Sequence, residues 1–293
     1  MASLKDVKQK IASVQKTKQI TRAMNMVASA KLRKAQARIE RFRPYAEKYY
    51  ELLADLAGGV DTSVHPLLEA REEINNVGVM LITSERGLCG AFNGNIIQKA
   101  VQLGNEKKHQ GKAVKFYCVG KKGRDQIRKR EQFELVKGHT GVMDNFDFAL
   151  ANQLGVEIIH AFQEHELDEV HLVYGRFESV VRQVPYALQI LPVTQEQVAE
   201  ESTGGTSAEY SYEPSVEGIL SELLPRFVKV QIYRGMLETS ASEHAARMTA
   251  MDNATQNCDD MISRLTLAYN KARQAAITAE LLDIVGGAEA LKG

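Results

Sequence analysis

The sequence has no tryptophan, and aromatic residues make up only 6% of its 293 positions. A chain so poor in aromatics suits long helices better than a β-sandwich. Its three cysteines, Cys89, Cys118 and Cys258, are widely spaced, with no CxxC pair and no histidine at metal spacing. They read as reduced thiols of a cytosolic protein and not as a disulfide framework. No apolar run reaches the roughly 18 residues that would span a bilayer. The stretch from Met1 to Lys10 has no apolar h-region, so no signal peptide is expected. Any membrane association must then come through a partner. Net charge is missing too, with 37 Lys and Arg against 37 Asp and Glu. The length allows one large or two modest domains with a sizeable core.

What the chain does have is two long stretches patterned for helix. From Leu4, one residue in every three or four falls on a single seam, through Val7, Ile11 and Val14 to Ala28, Leu32, Ala35, Ile39, Phe42, Ala46, Tyr49, Leu53 and Leu56. That spacing is the heptad signature, which keeps one face toward a partner. No glycine interrupts it before Gly58, and Pro44 is its one proline. Such a helix is roughly 80 Å long at 1.5 Å per residue, and something equally long must cover its stripe. The pattern returns from Phe227 through Val230, Leu237, Ala241, His244, Met248, Met251, Cys258, Ile262, Leu265 and Tyr269 to Ala276. His244 on this seam reads as a polar register-setter. Pro225, just before it, is expected to kink the helix or start a new one. The two stretches match in length and flank the rest of the chain, which predicts an antiparallel coiled coil with a globular insertion.

The first stretch is also lopsided in charge. Between Lys5 and Lys48 it holds 13 Lys and Arg against only Asp6, Glu40 and Glu47, so an acidic partner surface is expected. Its seam lapses at Lys18, Thr21 and Asn25, while Ile20, Met24 and Val27 form a second apolar stripe. Near the other end, Ala275, Ala276, Ile277, Ala279, Leu281, Leu282, Ile284 and Val285 cover nearly every side, and a helix apolar all round is buried. One partner helix cannot bury it all. The lapse and the tip together predict an external sleeve.

The middle of the chain changes character. Val77–Thr83 and Ala113–Val119 are short apolar runs rich in β-branched residues, each bounded by turn-formers, and read as buried strands. Phe133–Val136, Glu169–Tyr174 and Val180–Ile190 read as further strands, the last placed at an edge by Pro185. Helices are expected from Asn93 to about Lys107 and from Phe146 to about Glu164. Strands alternating with helices imply a mainly parallel sheet. The predicted organisation is a coiled-coil helix over 1–58, a small Rossmann-like α/β domain over 75–194, a polar loop over 195–214 and a second coiled-coil helix over 215–287.

Candidate chemistry is thin. The turn from Thr83 to Gly94 invites a phosphate-loop reading, with glycine N–H groups facing an anion at a helix start. But Gly87, Gly90 and Gly94 are spaced GxxGxxxG, which is neither GxGxxG nor a Walker A pattern, and a tight βα turn is the favoured reading. Cys89 beside Arg86 lacks a placed histidine partner, so a packed thiol is favoured over a nucleophile. The histidines show no HExxH spacing. No catalytic, cofactor-binding or metal-ligating residue is expected. The basic helix could also track nucleic-acid phosphates, although it offers few aromatics for stacking; a basic coiled-coil nucleic-acid adaptor is the alternative.

Five motifs carry a resemblance. Ile11-Ala-Ser-Val-Gln-Lys-Thr17, Thr21-Arg-Ala-Met-Asn-Met-Val27, Glu85-Arg-Gly-Leu-Cys-Gly90, Ser242-Glu-His-Ala-Ala-Arg-Met-Thr-Ala-Met251 and Tyr269-Asn-Lys-Ala-Arg-Gln-Ala-Ala-Ile-Thr-Ala-Glu-Leu281 resemble, in order and from end to end, the γ subunit of F-type ATP synthases. The resemblance implies a non-catalytic rotary stalk, one copy in each ring of α and β subunits. Its globular part would bind ε and the membrane c-ring, coupling proton flow to ATP synthesis or hydrolysis and regulating both. It also implies contacts to β loops through Met24, Arg247, Gln274 and Thr278, Arg247 being an exposed helix position. Leu281, Leu282, Ile284 and Val285 would form the tip in a hydrophobic bearing. Plant chloroplast members carry an inserted dithiol after the α/β domain, and residues 195–214 hold no cysteine. A bacterial protein is therefore expected, peripheral on the cytoplasmic face of the inner membrane.

Overall fold

Apolar residues at both odd and even positions of a short run require cover on both faces. The computed structural model describes residues 4–57, 65–71, 73–194 and 216–290, and in it Val77–Ile82 are almost wholly buried in the central strand β1 (Asn76–Ile82). The remaining elements are α1 (Leu4–Ala57), α2 (Phe92–His109), β2 (Ala113–Val119), α3 (Lys121–Ile127), β3 (Glu134–His139), α4 (Phe148–Gln163), β4 (Glu169–Phe177), β5 (Gln183–Leu191) and α5 (Val216–Ala290). The strand order is β3-β2-β1-β4-β5. The first four are parallel, and β5 runs antiparallel to β4 at the edge, with Pro185 in it. A proline cannot donate to a ladder, and an edge is where that costs least.

The chain forms two compact units, residues 29–247 and residues 1–28 with 248–293. Each long helix contributes to both. In the larger unit, period-2 alternation splits the sheet into two faces. Val77, Val79 and Leu81 point to α2, packing with Phe92, Ile96, Ala100, Phe116 and Cys118. Met80 and Ile82 point the other way, toward α4 and the paired α1 and α5 segments. There Leu53, Leu220, Leu224, Phe227 and Val230 are 0–1% exposed. Tyr233 gathers an aromatic cluster, with Phe42, Phe146 and Phe148 at centroid distances of 5.0, 6.1 and 5.5 Å. The Arg38 guanidinium stacks 4.3 Å from the Phe146 ring and donates to the Phe146 carbonyl at 2.6 Å.

In the smaller unit, α1 and α5 pair antiparallel through the very positions where the seam turns polar. Asn25 Nδ2 donates to the Met248 carbonyl at 2.9 Å, Thr21 Oγ1 lies 2.8 Å from Thr255 Oγ1, and Lys18 Nζ lies 2.5 Å from Asp259 Oδ1. The lapse is therefore satisfied inside the coil, which corrects its use as a sign of outside neighbours. Polar pairs at such seam positions fix register.

Four local expectations differ from the structure. Helix α5 runs unbroken through Pro225, because the flanking Leu220, Leu224, Phe227 and Val228 are completely buried and packing offsets one missing N–H. It also continues past Gly286 and Gly287 to Ala290. The third strand extends to His139 rather than Val136, and β5 starts at Gln183 rather than Val180. The loop read over 195–214 lies outside the described residues.

Candidate functional site

Two surfaces stand out, one in each unit. In the smaller unit, the register that sets Lys18 against Asp259 would bring Leu4 level with about residue 272. Beyond it α5 continues with no paired α1 residue, and only Ala276 among the side chains described from 270 onward is even half-buried. Ile277, Leu281, Leu282, Ile284 and Val285 are 47–68% exposed. Gln274 and Thr278 are exposed, and the Thr278 hydroxyl donates to the Gln274 carbonyl at 2.9 Å, within the helix. On α1, Ile20, Met26 and Val27 are 57–61% exposed, with Met24 half-buried between them. Exposed large apolar groups in continuous patches mark interaction surfaces.

In the larger unit, the turn after β1 is built on its own carboxylate. Glu85 Oε2 accepts from the Lys121 N–H at 3.0 Å, and Oε1 accepts from the N–H groups of Val142 and Met143 at 3.1 and 3.3 Å. These amides lie at the carboxyl ends of the parallel strands, where sheets of this class commonly receive phosphate. Here a side chain fills them, which is the physical case against the phosphate-loop reading. Gly120, at φ +100°, lets the chain pass so close that a Cβ would sit 2.1 Å from the Thr83 carbonyl oxygen. The Thr83 hydroxyl accepts from the Gly123 N–H at 2.8 Å, and Asn93 Oδ1 accepts from the Ser84 N–H at 3.1 Å. Leu88 ends up 62% exposed with φ +64°, a conformation that leucine rarely adopts.

Arg247 closes this turn from α5. Its Nη2 donates to the Gly87 carbonyl at 3.0 Å and to Glu243 Oε1 at 2.7 Å, and the side chain is 12% exposed. The expectation of an exposed Arg247 is thus corrected: its guanidinium is spent largely inside the chain, because a carbonyl left bare by the turn lies within its reach. Burial raises the Glu243 carboxyl above its ordinary range, with Arg247 opposing. His244 is pulled down to about 4 by burial, then by the charges of Arg247 and Lys31. Burial pushes the Cys89 thiol up, against the pull of Arg247, and Cys118 up to about 12. Both are packed thiols.

Glu85, Thr83, Asn93 and Glu243 were not singled out in the sequence. They fall within the turn Thr83–Gly94 and the motif Ser242–Met251, but nothing in either stretch marked the partners that the fold gives them.

A family model described as ATP synthase matches residues 3–291. A protein named ATP synthase gamma chain from Maridesulfovibrio salexigens is 64% identical over 293 residues, covering 100% of each chain. A namesake from Lawsonia intracellularis is 53% identical, again over the full length of both. The chain belongs to the ATP synthase gamma-chain family. A chain from the Euglena gracilis mitochondrial ATP synthase shares the fold with a TM-score of 0.67 at 22% identity, covering 98% of this chain and 94% of its own. A chain from the rotor of the same enzyme gives 0.65, covering 94% and 98%. These relatives lend no support to the nucleic-acid alternative.

Proposed function

We propose that this chain is the central stalk of a rotary ATP synthase, a non-catalytic shaft that turns within a ring of α and β subunits. The observation that carries the reading is the tip of α5, where five large apolar side chains stand about half to two-thirds exposed along one broad face of the helix. A helix with that surface fits an enclosing apolar collar better than water. The basic block of α1 suits the acidic loops expected of such a ring. Full-length likeness to proteins named ATP synthase gamma chain supports the assignment.

In this reading Leu281, Leu282, Ile284 and Val285 form the bearing, and Met24, Gln274 and Thr278 are contacts to β. Arg247 offers an outside partner only its small exposed fraction and chiefly holds the Gly87 turn. The α/β domain binds ε and the c-ring, so that proton flow turns the shaft and the shaft drives the catalytic β sites. No helix among the described residues is long and apolar enough to cross a membrane, so attachment to the cytoplasmic face of the inner membrane runs through the c-ring. Co-expression with α and β subunits tests the proposal. One copy is expected in each ring, with cooperative ATP hydrolysis that the purified chain alone lacks. Turnover by the chain alone, or its exclusion from the ring, would sink the reading.

A further inference from the structure

Strand β4 outruns its neighbour. The β1–β4 ladder ends at the pair Leu81 and Val173, yet β4 continues to Phe177. Past Val173, the polar backbone groups of β4 that face the β1 side meet no strand among the described residues. Helix α5 supplies the partners. The Gly175 N–H donates to Thr239 Oγ1 at 3.2 Å, and the Ser242 hydroxyl donates to the Gly175 carbonyl at 3.1 Å. Two residues along, the Phe177 N–H donates to Glu238 Oε2 at 3.3 Å. Glu238 is braced in turn by Arg234 Nε at 3.0 Å from Oε1. Thr239 and Ser242 are 0% exposed.

Polar groups this deep are not needed to attach a helix to a sheet, since the surrounding Tyr174, Ile232, Met236 and Leu237 are already buried. Apolar burial is non-directional, however, and resists sliding or rolling of a helix only weakly. Directional hydrogen bonds in a dry interface behave differently, because a shift of one residue leaves each buried group unpaired.

We infer that Glu238, Thr239 and Ser242 form a polar key that fixes α5, in rotation and along its axis, to the free end of β4. It is the joint through which torque passes between the α/β domain and the shaft helix. The inference rests on the rotary-stalk reading and names positioning residues within it. Glycine at 175 serves the joint from the opposite face, where a Cβ would lie 2.6 Å from the Phe92 ring and drive the strand off α2.

The test uses the whole chain assembled with its α, β, ε and membrane partners. The readout is ions pumped per ATP hydrolysed, with ATP hydrolysis by the detached rotor complex measured alongside. The double variant Thr239→Val, Ser242→Ala keeps nearly the same volume and removes both bonds to Gly175. Pumping per ATP is expected to fall about fivefold, the equivalent of two hydrogen bonds at the low end of their net worth, while hydrolysis by the detached complex stays near wild type. Ile158→Val, a core substitution away from the key, serves as the control: it lowers thermal stability and leaves the ratio alone. If the double variant loses stability and keeps the ratio, the key is only structural and the inference is overturned. If the double variant does not assemble, Thr239→Val is compared with Thr239→Ser. The hydroxyl of serine should restore the ratio that valine loses, and equal ratios would overturn the inference. Failure of the wild-type chain to enter the ring would instead count against the stalk reading.

Discussion

The two units use the same pair of helices in opposite ways. In residues 29–247 the helices bury polar groups: Thr239, Ser242 and Glu243 are at most 7% exposed, and the first two pair with the sheet's backbone. In residues 1–28 with 248–293 they expose apolar ones, from Ile20 and Val27 to Leu282 and Ile284. Hydrophobic burial is the main favourable contribution to folding, so stability is concentrated in the first unit. The second leaves its apolar surface for something outside the chain. A rotor has that division of labour, with one part held rigid and the other presented.

Substitutions that should matter in one unit and not in the other test the contrast. The largest effect is expected from Leu81→Ala, at the completely buried centre of the sheet, with a loss of about 2–5 kcal/mol in urea unfolding. A loss below about 1 kcal/mol would mean that the larger unit is not the source of stability. Glu85→Ala should cost about 2 kcal/mol, because three N–H groups lose their acceptor. Added formate should recover part of that loss by entering the vacated site. Indifference to formate would show that the carboxylate is replaceable by packing.

A smaller effect follows from pH. Burial by itself would raise the Glu169 carboxyl, but hydrogen bonds and charge from His171 and Lys107, at 2.5 and 2.6 Å, outweigh it and hold the group at about 2. A depressed carboxyl contributes stability that is fully present above its unfolded value. That contribution is lost as pH falls from the ordinary range, about 4.5, toward 2. Glu169→Gln should therefore flatten the stability–pH curve in that window, and an unchanged slope would refute the assignment.

Within the smaller unit, Lys18→Ala removes a partly exposed ion pair with Asp259 and should cost no more than about 1 kcal/mol, less at high salt. The smallest effect is expected from Leu282→Ser, which should leave the unfolding of the isolated chain within about 0.5 kcal/mol of wild type. The same change should lower the activity of the assembled complex. Destabilisation of the free chain would mean that the tip is already packed.

Much of this was legible in the sequence because it is periodic. Heptad spacing drew both long helices, and β-branched runs bounded by turns located the strands, since side-chain period follows directly from backbone geometry. Pro185 marked the edge strand for the same local reason. The apolar residues near Leu281–Val285, read from the sequence as needing an enclosing partner, stand exposed on α5. Other features had no such pattern. That Lys18, Thr21 and Asn25 are answered by Asp259, Thr255 and Met248, that Arg247 turns inward to Gly87, and that Glu85 fills the amides of Lys121, Val142 and Met143 were decided only by the fold. The physical reason is common to most of them. A backbone N–H or C=O is the same at every residue and leaves no mark in the sequence, so which side chain will satisfy it is settled only when distant segments meet.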